Sequence, residues 1–182
     1  MWSAMVMAMM IATAGYYALA AQERVTINVS QGANLATDMA TYRQMVINYA
    51  SLPANRNVND VRVPASALDQ PFWLKPAVLA QWDNYIDGSG AIYVFVKADT
   101  PLPVNITADI VKLSRNSVLA GEAIVRNGSL VLRAPGDRDT STGVPIDGHG
   151  SLLEAIDYGA HPALALPTQI PVGSPVWLAS RN

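Results

Sequence analysis

From Met1 to Ala21 the chain carries no charged residue, and only Ser3, Thr13 and Gly15 interrupt a run of Met, Ala, Val, Ile, Leu, Tyr and Trp. At a rise of about 1.5 Å per residue a helix of this run covers roughly 30 Å, the thickness of a bilayer hydrocarbon core. The run therefore reads as a single transmembrane anchor over 1–24, with Met1, Trp2, Met5, Met9, Ile11, Tyr16, Tyr17 and Leu19 as its anchoring residues. Trp2 stands at one end and Tyr16 and Tyr17 near the other, where amphipathic rings meet headgroups. A cleavable signal peptide competes with this reading, because Ala18-Leu19-Ala20 is a small-residue cleavage pattern. However, no basic segment precedes the run, and it exceeds the apolar region of about 7–15 residues usual in a leader. An uncleaved anchor is expected. The following flank, Gln22-Glu23-Arg24, holds one positive residue before Arg43, a weak cytoplasmic retention signal. The remainder is expected in the periplasm of a bacterium, held to the inner membrane.

Composition narrows the role by exclusion. Hydrophobic residues make up 51% and charged residues 14%, against about a quarter charged in a typical soluble domain, so apolar surface is expected to meet lipid or a partner. Twelve basic against fourteen acidic residues leave a formal charge of −2, which offers nucleic acid no electrostatic footprint. The lack of cysteine removes disulfide scaffolds, thiolate metal sites and thiol nucleophiles.

Residues 25–52 follow a different pattern. Leu35, Met39, Tyr42, Met45, Val46 and Tyr49 recur at spacings of three and four and line one helix face, while Asp38, Arg43, Gln44 and Asn48 decorate the other. This helix is expected to follow the anchor almost continuously. Gly32 is the position where a kink or break would fall, and Leu52-Pro53, ahead of the Asn-rich stretch 55–60, is the stop. Residues 53–182 read as a β-rich part that packs with 25–52 as one domain. Strands at 80–86 and 91–97 flank Asp87-Gly88-Ser89-Gly90, and strands at 123–126 and 129–132 flank Asn127-Gly128, the dipeptide suited to the two positive φ angles of a type I′ turn. Residues 107–117 predict a short helix with Ile110, Val111 and Leu113 inward, 134–150 a long exposed loop, and 176–179 a terminal strand. Residues 151–158 predict a helix opened by a Ser151/Glu154 capping box. The expected fold class is α+β, a long N-terminal helix laid on a mostly antiparallel sheet.

Catalytic chemistry finds little support. His149 and His161 are the only histidines, and neither has a second histidine at i+3 or i+4 to share a metal. Asp147, His149 and Ser151 are neighbours in sequence, but no Gly-x-Ser-x-Gly elbow surrounds the serine, and a glycine-flexed surface loop is the plainer reading. No phosphate-cradling Gly-x-x-x-x-Gly-Lys occurs. Asp137, Asp139 and Ser141 resemble the opening of a calcium loop, yet glycine falls at the seventh place and Gly148 at the twelfth, where a bidentate glutamate belongs; a solvated turn is expected. Trp73, Trp82, Tyr85 and Tyr93 gather around the first hairpin, where stacked rings line a groove or, more commonly, fill a core. Asn-x-Ser/Thr matches at Asn28, Asn105 and Asn127 are taken as chance. No cofactor is expected.

A family resemblance enters on the order of several segments. The hydrophobic N-terminus, Met45-Val46-Ile47-Asn48-Tyr49 at the helix end, Ile92-Tyr93-Val94-Phe95, Val125-Arg126-Asn127-Gly128-Ser129-Leu130-Val131 and the tail from Leu166-Pro167 to Val176 together resemble the PilM family of type IVB (thin) pilus biogenesis. That family is distinct from the actin-like cytoplasmic protein of type IVA systems bearing the same name. The resemblance implies a pilin-like inner-membrane protein of a conjugation-associated pilus assembly or basal-body apparatus, whose partners are other pilus assembly proteins or pilin. The pilin likeness stops at layout. A prepilin has a basic leader, a glycine before the cleavage point and a glutamate at the fifth mature position, and none of these stands in this run.

Three roles follow: a non-enzymatic anchored assembly subunit, which is the expectation; a minor pilin-like subunit incorporated in the pilus; and a secreted periplasmic binding module. For the first, the loop 134–150 and the Pro-rich tail 160–175 are the expected contact surfaces, since loops held on a rigid scaffold commonly carry recognition.

Overall fold

The structure, a computed structural model of the chain, describes residues 29–100, 102–115, 117–134 and 164–181. Helix α1, residues 29–51, passes through Gly32 without a break. Gly32, Ala36, Met39, Tyr42, Met45, Val46 and Ala50 are buried, with Leu35 and Tyr49 half-buried beside them. The buried stripe is thus flanked by small residues that let neighbouring elements come close. The helix stops where Pro53 opens a short 3-10 turn, Pro53–Asn55, and the Asn55 amide caps the Tyr49 carbonyl at 3.0 Å.

Strands β1 (Trp82–Ile86), β2 (Ala91–Val96), β3 (Ala120–Arg126), β4 (Ser129–Arg133), β5 (Leu164–Ala165) and β6 (Pro175–Ser180) form one six-stranded antiparallel sheet in the order β1-β2-β6-β3-β4-β5. The second hairpin turns at Asn127 (φ 52) and Gly128 (φ 78), as its dipeptide requires. In the first, Asp87 Oδ1 accepts from the N–H of Ser89 and of Ala91, both at 2.9 Å. β1 begins at Trp82 rather than residue 80 because a short helix α2 (Pro76–Leu79) uses the intervening residues; the Ala80 N–H returns to the Pro76 carbonyl at 3.1 Å.

The two hairpins do not touch as sheet neighbours. β6 runs between them, pairing with β2 from Ala91↔Ser180 to Phe95↔Val176 and with β3 from Ala120↔Trp177 to Glu122↔Pro175. At the start of β6, Gly173 (φ 78) donates to the Ala123 carbonyl at 2.7 Å, while Ala123 donates to the Ser174 carbonyl at 2.9 Å. Two residues there oppose one, in the manner of a glycine bulge.

The period-2 alternation of the strands splits the apolar residues onto two faces. On one, Trp82, Ile86, Ile92, Val94, Val96 and Trp177 pack with the α1 stripe and with Ile106, Ile110 and Val111. On the other, Tyr93, Phe95, Ala123, Leu132, Val176 and Leu178 are covered by Leu166 and Ile170. β2 and β6 are therefore buried on both faces. Helix α3 (Thr107–Leu113) is shorter than expected. Leu113 is 47% exposed, not inward, because Ser114 returns its N–H to the Ile110 carbonyl at 2.8 Å and Arg115, at φ 57, turns the chain away.

No helix among the described residues is long and apolar enough to cross a membrane. The expected anchor at 1–24 lies outside the described residues, as do Asp137, Asp139, Ser141, His149, His161 and the segments 135–150 and 151–158.

Candidate functional site

The direction of α1 distinguishes the two ends of the sheet. At one end, just past the close of α1, the Arg181 guanidinium donates to the carbonyls of Arg56 and Val58 beside Gly90 of the first hairpin. At the opposite end α1 begins. There Asp109 of α3 reaches Gly32 so closely that a Cβ on the glycine would lie 2.3 Å from the carboxylate oxygen. β2 and β3 both run antiparallel to β6, so both finish at this end, β2 at Val96 and β3 at Val125–Arg126.

An open cleft of about 330 Å³ occupies this end. Val96, Leu102, Val104 and Ile106 line one side, and the run from Pro171 to Pro175 lines the other. Lys97 and Thr100 stand in its lining as well, while two of its side-chain oxygens are already engaged. The buried Ser174 hydroxyl accepts from the Val96 N–H at 3.1 Å, and Asn105 Oδ1 accepts from the Thr107 N–H at 2.9 Å. Backbone edges and short aliphatic side chains offer shape and hydrogen bonds, which suit the binding of an extended segment more than bond-breaking. No group of three or more His, Cys, Asp or Glu among the described residues could hold a metal ion.

Behind the cleft, polar contacts lock α1 to the sheet. Asn84, fully buried, donates to the Tyr42 hydroxyl at 2.7 Å and exchanges two bonds with the Val63 backbone at 2.9 Å. Burial pushes the Tyr42 phenol up to about 12; the Asn84 bond works against this and the Asp83 charge adds to it. Arg43, expected on the solvated face, instead donates its Nε–H to the Leu178 carbonyl at 2.9 Å with its guanidinium 5.1 Å from the Trp177 ring centroid. β3 reaches only Trp177 along β6, and the arginine satisfies the carbonyl left beyond it. In the first hairpin, partial burial pulls the Asp87 carboxyl upward, but hydrogen bonds from Ser89, Tyr93 and Ala91 outweigh it and hold the group below its ordinary value.

The aromatic groove does not form. Trp82 faces α1, whereas Tyr85 and Tyr93 face the opposite layer. Trp73 joins neither core and is 56% exposed, beside Phe72, which is fully exposed at 101%. Sequence reasoning missed Phe72; its signal is the bracketing of Phe72-Trp73 by Pro71 and Pro76, which holds two aromatics in a turn. It likewise missed the Pro-punctuated connector 97–106 as a cleft wall, while part of the expected tail surface, 171–175, does line that cleft.

Comparison with known proteins gives one family. The PilM family model matches residues 7–147, more than half of the 182 residues. No curated protein and no solved structure matches the chain.

Proposed function

The chain belongs to the PilM family, and on that premise we propose that it is a non-enzymatic, membrane-anchored component of type IVB (thin, conjugation-associated) pilus assembly, with its domain in the periplasm. The pilus-related role follows from the family. The anchored placement is supported by the uncharged run 1–21, whose length suits a bilayer. The observation that carries the non-enzymatic reading is the cleft at the start of α1, walled by prolines and aliphatics with its serine and asparagine oxygens committed to backbone N–H groups. Such a site receives a segment of another assembly protein or of pilin; its described lining holds no paired acid and base to move protons.

The test is deletion of the gene with complementation by the full chain and by Val104→Arg, which fills the cleft wall with charge. The full chain restores thin pili and stays in the membrane pellet after alkaline carbonate washing. The arginine variant stays in the pellet but yields no pili. Normal piliation by that variant would remove the cleft from the mechanism, and a carbonate-soluble protein would remove the anchor. Co-sedimentation with sheared pili would favour instead the minor pilin-like reading, which the helix-on-sheet layout also fits, and a mature N-terminus near Ala21 would favour a secreted binding module.

A further inference from the structure

We infer that the end of the domain at which α1 begins rests against the interfacial layer of the lipid bilayer, with the Phe72–Trp73 turn, Val29 and Val125 as its contacts; this rests on the anchored reading above and goes beyond it by saying which surface lipid touches.

The turn is rigid and points outward. The Leu74 N–H returns to the Pro71 carbonyl at 3.0 Å, which puts Phe72 and Trp73 at the two corner positions. Gln70 braces the loop by donating to the Ala65 carbonyl at 2.7 Å, and Leu68 and Leu74 root it in the α1 core. Phe72 buries nothing against this chain and Trp73 less than half of its surface, so the apolar area left is desolvated only in another apolar medium.

The loop also lies on the relevant half of the molecule. It departs at Val63, level with Asn84 in mid-β1, and returns at Gln81, whose carbonyl accepts the Lys97 N–H at 2.9 Å just past the finish of β2. Val29 at the first described turn of α1 and Val125 at the finish of β3 are 63 and 58% exposed, and both belong to this same end. They stand on separate elements rather than in one groove. A dispersed set of apolar tips suits a fluid interface, where aromatic rings settle at headgroup level, more than one complementary protein surface.

Chain length sets the reach. Seven residues lie between Ala21, the last of the uncharged run, and Val29, which makes eight steps along the chain. They span about 12 Å if helical and at most about 28 Å if extended, which keeps this end of the domain close to the surface from which the anchor emerges.

Because the chain has no cysteine, a single Phe72→Cys substitution in the full protein accepts one environment-sensitive fluorophore, and Asn57→Cys, exposed beyond the far end of α1, is the control. Each labelled protein is reconstituted in phosphatidylcholine/phosphatidylglycerol vesicles with nitroxide-bearing lipid, and then probed separately with aqueous iodide. The expected result is severalfold stronger lipid-borne quenching at 72 than at 57, with 72 shielded from iodide. If the protein floats with the vesicles while both labels quench alike, this inference fails, the anchored reading stands, and the aromatic pair is left for a protein partner. If the protein does not float, both fail together.

Discussion

The Asn84 side-chain amide donates to the Tyr42 hydroxyl at 2.7 Å, and this bond joins helix α1 to the edge strand β1 inside the core. Because Asn84 also exchanges both bonds of a backbone pair with Val63, three chain segments meet on one side chain.

Replacing Asn84 by alanine leaves the Val63 N–H and C=O and the Tyr42 hydroxyl without partners, at about 1–3 kcal/mol for each buried orphan. Tyr42→Phe removes only one acceptor and is expected to cost about 1–2 kcal/mol. Urea unfolding of the full chain in detergent, followed by tryptophan fluorescence, separates the two. Equal costs would mean that the Val63 contacts contribute nothing.

Tyr42 and Asp87 are two of the groups that make stability depend on pH, and they act in opposite ranges; Tyr93, held up by burial and by the Asp87 carboxylate, adds to the alkaline side. The folded-state value of Tyr42 is raised from 10.0 to about 12, so its contribution is complete below pH 10 and is lost as pH rises toward 12. Asp87 is lowered from 3.8, so its contribution is complete above that value and is lost as pH falls below it. Tyr42→Phe should make the alkaline limb of the stability profile shallower, with the part owed to Tyr93 remaining, and Asp87→Asn should do the same to the acid limb; a limb unchanged by its own substitution contradicts the assignment.

Gly32 and Gly121 are both crowded, yet alanine is expected to act differently at each. A Cβ at Gly32 meets the tip of the Asp109 side chain at 2.3 Å, which rotates aside, and alanine gains about 0.5–1 kcal/mol of helix preference. A Cβ at Gly121 meets the Arg133 backbone carbonyl at 2.0 Å, which has nowhere to go without opening β3 from β4. Thermal melts should show Gly32→Ala near wild type or above it, and Gly121→Ala lowered by the equivalent of about 1–3 kcal/mol.

Arg43→Met keeps the packing of the stem on Trp177 but leaves the Leu178 carbonyl without its side-chain donor. A loss of about 1–3 kcal/mol is expected, with the near-ultraviolet signal of Trp177 largely retained. A cost below about 0.5 kcal/mol, the level of an ordinary surface change, would place this arginine in solvent after all.

Local chemistry made much of the fold legible in the chain. Asn127-Gly128 specified its turn because few other dipeptides accept two positive φ angles, and Leu52-Pro53 specified the helix stop because proline removes a donor. Met39, Tyr42, Met45 and Val46 marked the buried face through their spacing. Leu113 was misread because a helical period continues on paper past the point where Arg115 turns the backbone. Arg43 was assigned to solvent because hydropathy does not see a strand carbonyl left open where β3 begins only opposite Trp177. The candidate site was less legible: the tail 171–175 was singled out, but its opposite wall, 97–106, and the outward Phe72 were not.

What the sequence determined by itself is what neighbours within a few residues decide: helix period, hairpin turns, stops, the uncharged run, and through the order of its segments the family. Tertiary structure alone decided that β6 passes between two hairpins made more than 40 residues earlier in the chain, and so that β2 and β6 are buried on both faces. It also decided that Trp82 and Tyr93 serve opposite cores, that Arg43 completes a strand, and that Phe72 has no core to enter. Those outcomes depend on which distant surfaces meet, and the free energy of such meetings belongs to pairs of segments, so neither segment read alone carries it.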